Sequence, residues 1–183
     1  MIYSLSLQSV GIAVGVLLLL GHAAAWVGGP KAMAFAKAFP RSRAAATILL
    51  LMAAVWAFFL VQDVDLGEFS KLRQIMLTGI VAGAILAWLY VEEFLAARAL
   101  GMLLLLAAEV LLESAVLRTE TSRLLLVTLA YGWVLAGLFM VGMPYLVRDA
   151  IKVVTASTTR WKLACLGGVG YGVALLVCAI LFW

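Results

Sequence analysis

Six apolar runs divide this chain, at 10–27, 44–61, 75–91, 99–117, 124–147 and 163–183. Each is about 17 residues or longer, and a helix rising 1.5 Å per residue needs roughly 20 such residues to cross the hydrocarbon layer of a bilayer. The runs therefore predict six transmembrane helices, a geometry that satisfies the backbone amides within each segment. Composition agrees: 67% of the 183 residues are hydrophobic and 12% are charged, whereas a soluble domain is about half apolar and about a quarter charged. So few charges cannot cover that much apolar surface in water. The expected fold is an all-α integral membrane protein, a single membrane domain over 1–183 with short loops and no soluble domain.

The distribution of Lys and Arg orients the helices. The connections 28–43, 92–98 and 148–162 carry Lys31, Lys37, Arg41, Arg43, Arg98, Arg148, Lys152, Arg160 and Lys162, nine in all. The opposite side carries four: Lys71, Arg73, Arg118 and Arg123. Positive connections stay in the cytoplasm, so both termini are expected on the far side of a cell membrane, the inner membrane if the source is bacterial. The helices then form three hairpins, each turning through a basic cytoplasmic segment. The shared plan of the turns fits either a triplication of the kind transporters use or the ordinary positive turns of a multispanning protein.

Two of the basic connections are long enough to have structure of their own. Residues 30–43 set Lys31, Lys37, Arg41 and Arg43 among Met33, Phe35 and Phe39, a mix suited to the headgroup layer, and 148–162 has similar character. Pro30, Pro40 and Pro144 fall at this same face, where a helix can stop without stranding amides in lipid. Glu92, Glu93, Arg98, Arg148 and Asp149 come from two neighbouring turns, and Arg41 and Arg43 can join them. This rim cluster fits a phosphate or lipid headgroup held by the arginines, or a set of interhelical ion pairs.

Within the spans the informative residues are the ionisable ones, because a charge at mid-bilayer is costly and has to be paired or neutralised. Glu109 lies near the centre of the fourth run, on one helical stripe with Arg98, Met102, Leu105 and Glu113. Two readings follow: a proton or cation relay, or a protonated Glu109 hydrogen-bonded between helices. His22 lies at comparable depth in the first run. It either meets Glu109, forming a pair able to titrate near neutrality, or points to the cytoplasmic headgroups. Tyr131 and Tyr171 are alternative hydroxyl partners.

Gly11 with Gly15, Gly79 with Gly83, and Gly168 with Gly172 repeat the GxxxG spacing that lets two helix backbones approach closely. The stretch Gly168-Val169-Gly170-Tyr171-Gly172 also resembles the selectivity filter of potassium channels, which implies a carbonyl-lined pore. The chain departs from that family in having 11 residues after Gly172, too few for an inner helix of about 20. An ordinary apolar helix is therefore expected over this stretch.

One histidine and two cysteines, Cys165 and Cys178, are too few ligands for haem, zinc or iron–sulfur sites, so no metal and no cofactor is expected. The net charge of +4 is spread through short turns rather than over one face, which argues against nucleic acid as a partner. No nucleophile elbow, paired histidine or phosphate-binding glycine loop is present. The partners expected are the lipid bilayer and other membrane subunits or further copies of the chain. The leading reading is a non-enzymatic accessory or scaffold subunit packed into a larger membrane assembly. Its alternative is a small secondary transporter or ion-conducting homo-oligomer using Glu109 with His22. An intramembrane lipid-modifying enzyme is the more remote one.

Overall fold

The structure, a computed structural model, describes residues 5–91 and 93–183. Among these are seven α-helices: α1 (Leu7–Ala38), α2 (Arg43–Asp63), α3 (Arg73–Tyr90), α4 (Leu95–Ala115), α5 (Arg123–Gly142), α6 (Tyr145–Val154) and α7 (Thr158–Leu181). Six of them, all except α6, belong to segments long and apolar enough to cross a membrane. Serines set three of the helix starts: the hydroxyls of Ser6, Ser42 and Ser157 accept from the amides of Ser9, Ala45 and Thr159, filling donors that the first turn leaves unpaired.

The element boundaries correct the sequence reading at two places. The first helix does not end at 27. At Gly29 the backbone swings to φ 45° and ψ −119°, a left-handed conformation suited to glycine, and Pro30 restarts the helix, which continues as a basic tail to Ala38. A 3-10 turn, Phe39–Arg41, then leads into α2, so most of the segment 30–43 is helical. The fifth helix stops at Gly142 rather than 147. Met143 leaves helical geometry, with φ −130° and ψ 64°, and Pro144 cannot continue the i to i−4 ladder. The chain turns there into α6, a short amphipathic helix, and α7 begins at Thr158, inside the predicted interfacial segment 148–162.

The helices alternate in direction, and two clusters of buried side chains hold them. At one end, Leu7, Val10 and Val14 of α1 meet Ala108, Leu111 and Ala115 of α4, Leu126 and Ala130 of α5 and Leu175 of α7. At the other, Ala46 and Leu50 of α2 pack on Leu95, Ala96 and Ala99 of α4. Helix α4 is central, flanked by α5 and α2, with α3 outside α2 and the α1–α7 pair completing the bundle. The helix pairs joined by basic turns, α1 with α2, α3 with α4 and α5 with α7, are not the closely packed ones. The three hairpins expected from the turns are therefore not the packing units.

Small residues explain the pairing that forms instead. A Cβ on Gly172 would stand 2.9 Å from the Gly15 carbonyl oxygen, so α7 and α1 touch backbone to backbone, and Trp183 covers Gly11. Between α4 and α5 the equivalent contact is Gly101 against Gly137, where a Cβ on either would come within 2.9 Å of the other's carbonyl oxygen. In an apolar solvent such close approach gains dispersion contacts that larger side chains would prevent. Around Gly79 and Gly83 there is open space. Gly172→Ala is accordingly expected to lower the unfolding midpoint in detergent, at about 1–3 kcal/mol for overpacking. Gly79→Ala should hold or raise it by up to about 1 kcal/mol, since a glycine leaves a helix interior. Equal midpoints for the two variants would contradict this packing.

Candidate functional site

The basic end of the bundle is organised around Phe94. This residue precedes α4 with φ 57° and ψ 25°, a left-handed conformation that costs a residue with a Cβ about 1–3 kcal/mol. Its side chain is only 9% exposed. The turn thus spends conformational energy to place an aromatic ring where the chain comes back from α3. Two guanidiniums converge on that ring: the Arg41 Cζ lies 5.8 Å from its centroid and the Arg148 Cζ 6.0 Å. Cation–π attraction at such distances contributes about 0.5–1 kcal/mol per pair at exposed positions.

Arg41 arrives from the 3-10 turn after α1, and Arg148 from α6, so Phe94 joins three segments distant in sequence. Lys37, Pro40, Ile151 and Lys152 complete a cup of about 290 Å³ around it. Lys37, Pro40 and Arg41 stand at i, i+3 and i+4, as do Arg148, Ile151 and Lys152; each segment presents two cations and one apolar residue on a single helical face. Asp149 is ion-paired at this wall, with Oδ1 2.8 Å from Arg148 Nε and 3.7 Å from Lys152 Nζ, and Glu93 acts on Arg148 through space. The hydrogen bond from Arg148 holds the Asp149 carboxyl below the ordinary aspartate range, and the same bond raises the Arg148 guanidinium.

The other members of the predicted rim cluster disperse. Arg43 leaves the cup and lies over Trp88, 5.4 Å from the ring, whose Nε1 donates to Thr47 Oγ1 at 3.1 Å. Arg98 forms a helix-end contact: Nη1 donates to the Val141 carbonyl at 2.6 Å, where the last turn of α5 has carbonyls without helical partners. Glu93 is exposed at the turn, and Glu92 lies outside the described residues. The ion pairs formed by Asp149 run within α6 rather than between helices. The sequence reading counts Lys37 and Lys152 among the basic turn residues but does not join them, or Phe94, to the rim cluster, although the i, i+4 spacing of Lys37 with Arg41 and of Arg148 with Lys152 carries the signal.

At the depth of the apolar spans the candidates also separate. The His22 ring packs directly on Gly168 of α7, and Nδ1 donates to the Leu18 carbonyl one turn earlier at 2.8 Å. Its structural partner is a glycine, and the shared Gly168–Gly172 face serves that contact within a continuous helix rather than a carbonyl-lined loop. Tyr171 donates to the Leu125 carbonyl at 2.7 Å, joining α7 to α5. Tyr131 is 59% exposed on the outside of α5. Glu109 and Glu113 are half-buried and continue the stripe of Met102, Leu105 and Leu106, which line a groove of about 500 Å³ between α2, α3 and α4. Family models, curated proteins and solved structures give no match to this chain. The class it defines is an all-helical, multi-pass type of chain, and its function is read from its own residues.

Two outcomes follow from the Phe94 turn. Phe94→Ala and Phe94→Gly both remove the ring under Arg41 and Arg148, but only glycine relieves the left-handed backbone. The glycine variant should be the more stable by about 1 kcal/mol in denaturant or thermal unfolding; the reverse order would remove strain as a property of this turn. For Asp149, a lowered pKa means that its stabilising effect is complete above the ordinary aspartate value and is lost as pH falls through the lowered one. In a carboxyl NMR titration Asp149 should stay ionised below the ordinary range, and return to it in Arg148→Gln.

Proposed function

We propose that this protein is a non-enzymatic, membrane-embedded accessory subunit, oriented with its basic end in the cytoplasm, which packs through α3 against a transmembrane helix of another polypeptide. One observation carries the reading. Helix α3 is held by α2 alone along most of its length, and Leu77 is its only buried residue. Gly79 and Gly83 face open space, and with Ala53, Ala54, Ala84 and Leu50 they line the groove between α2, α3 and α4. Small residues are the interface residues of helices in lipid, because a lipid chain fills a shallow small-residue face less closely than another helix does. The same type of residue closes α1 on α7 and α4 on α5 within the chain, so the α3 face matches the chemistry by which this bundle already associates.

A carrier would draw polar groups from several helices toward the midplane. His22, Tyr131 and Tyr171 point to separate partners or outward, and Glu109 and Glu113 come from a single helix, an arrangement that supports the subunit reading over transport. The test is a photo-crosslinking residue at Leu86, on the same stripe as Gly79 and Gly83, with Ile180 of α7 as the comparison position. The expected result is one discrete heteromeric product from position 86, abolished by Gly79→Ile with Gly83→Ile, and none from 180. A homodimeric product would replace the heteromeric assembly by a homo-oligomer. Recovery of the chain alone, with proton or cation flux in vesicles lost on Glu109→Gln, would overturn the subunit reading in favour of transport.

A further inference from the structure

We infer that the cup around Phe94 is a binding site for a phosphate-bearing anion, held by Arg41 and Arg148 with Lys37 and Lys152. The inference is independent of the subunit reading, since the cup and the α3 face are different surfaces.

The first support is charge. Four cations line one cup of about 290 Å³. Packing like charges together is unfavourable unless counter-charge is present. Among the described residues Asp149 pairs with Arg148 and Lys152 and Glu93 acts on Arg148 through space, so four cations face two carboxylates and a formal excess of two positive charges is left. The second support is geometry. Phe94 adopts a strained conformation that places its ring beneath both guanidiniums, so the arginines are positioned by contacts with the protein before any ligand arrives. Pre-positioning lowers the ordering entropy of binding. Strain retained at one turn and expressed as the position of two arginines is the pattern found at ligand sites.

The donor chemistry selects the anion class. Two guanidiniums present planar, forked donors suited to paired oxygens, and two ammonium groups supply compact point charges. A phosphate monoester, with three acceptor oxygens and up to two negative charges, uses such a set more fully than a carboxylate does. The cup is near the lower limit of ligand-sized clefts, which fits a phosphate with a short substituent. On the same two segments, within a few residues of the cup in sequence, Phe35, Tyr145 and Leu146 are exposed, apolar and aromatic side chains of the kind that meet lipid. The same phosphate chemistry can be supplied by a lipid headgroup or by a soluble phosphate.

The experiment places purified full-length protein in nanodiscs of phosphatidylcholine and titrates it separately with short-chain phosphatidic acid and with inorganic phosphate. The readouts are the shift in unfolding midpoint and retention of the ligand by native mass spectrometry. Saturable binding is expected, weakening as salt rises. Arg41→Gln with Arg148→Gln should weaken it about tenfold or more, the loss that follows from removing charged hydrogen bonds. Lys37→Gln with Lys152→Gln alters two exposed side chains and serves if the arginine variant does not fold; it should weaken binding in the same direction. Arg43→Gln, outside the cup, should leave it unchanged. Binding of the lipid alone assigns the site to a headgroup, and binding of both ligands assigns it to phosphate as such. Absence of binding, affinity unchanged in both double variants, or an equal loss in Arg43→Gln would overturn the site.

Discussion

Backbone contact between helices at glycine is the constraint on which this architecture depends. Gly15 against Gly172 brings the first long helix onto the last, and Gly101 against Gly137 seats α5 on the central helix α4. With these two contacts made, leucines and alanines from α1, α4, α5 and α7 share one core. In an apolar surrounding, burying another leucine gains little from leaving water, so the advantage lies with surfaces that fit most closely. That preference overrides connectivity: helices joined by short basic turns separate, and helices from opposite ends of the chain pair.

The position of the chemistry follows from the same arrangement. Pairing α1 with α7 draws the basic tail after Pro30 toward α6, and seating α4 at the centre places the Phe94 turn between them. Arg41 and Arg148, 107 positions apart in the chain, then converge on one ring. The kink at Gly29 and the stop at Pro144 have parallel effects, since each ends a long apolar helix and begins a short basic segment. Irregular backbone occurs at both ends of the bundle, with positive φ at Gly29 and Phe94 on the basic side and at Gly67 and Leu117 on the other, and only the basic side gathers cations around it.

Residues whose meaning is local were legible from the sequence. The apolar runs mark the six long helices. The rim arginines Arg41 and Arg148 were recognisable as candidate anion ligands because basic residues gather between apolar runs. Other features had no local signature. Gly101 and Gly137 do not form a GxxxG pair within one helix, yet they make a contact as close as that of Gly15 with Gly172. Arg43 is two residues from Arg41, and only the rotation of the chain at Ser42 sends one to Trp88 and the other to Phe94. His22 was expected at the depth of Glu109, yet its ring faces Gly168 of α7, and a sequence does not record which neighbour a side chain meets.

The sequence by itself determined the all-helical class, the number and approximate position of the six long apolar helices and the end of the bundle that carries positive charge. These depend on hydropathy and charge summed along contiguous segments, and such sums do not require knowing which helix lies beside which. Tertiary structure alone decided the neighbours: α1 with α7, α4 with α5, the open face of α3, and the meeting of four cations around Phe94. Contacts of that kind depend on the rotation of each helix about its axis and on the fit of small faces across space. The energies that distinguish one fit from another arise only when both surfaces are present.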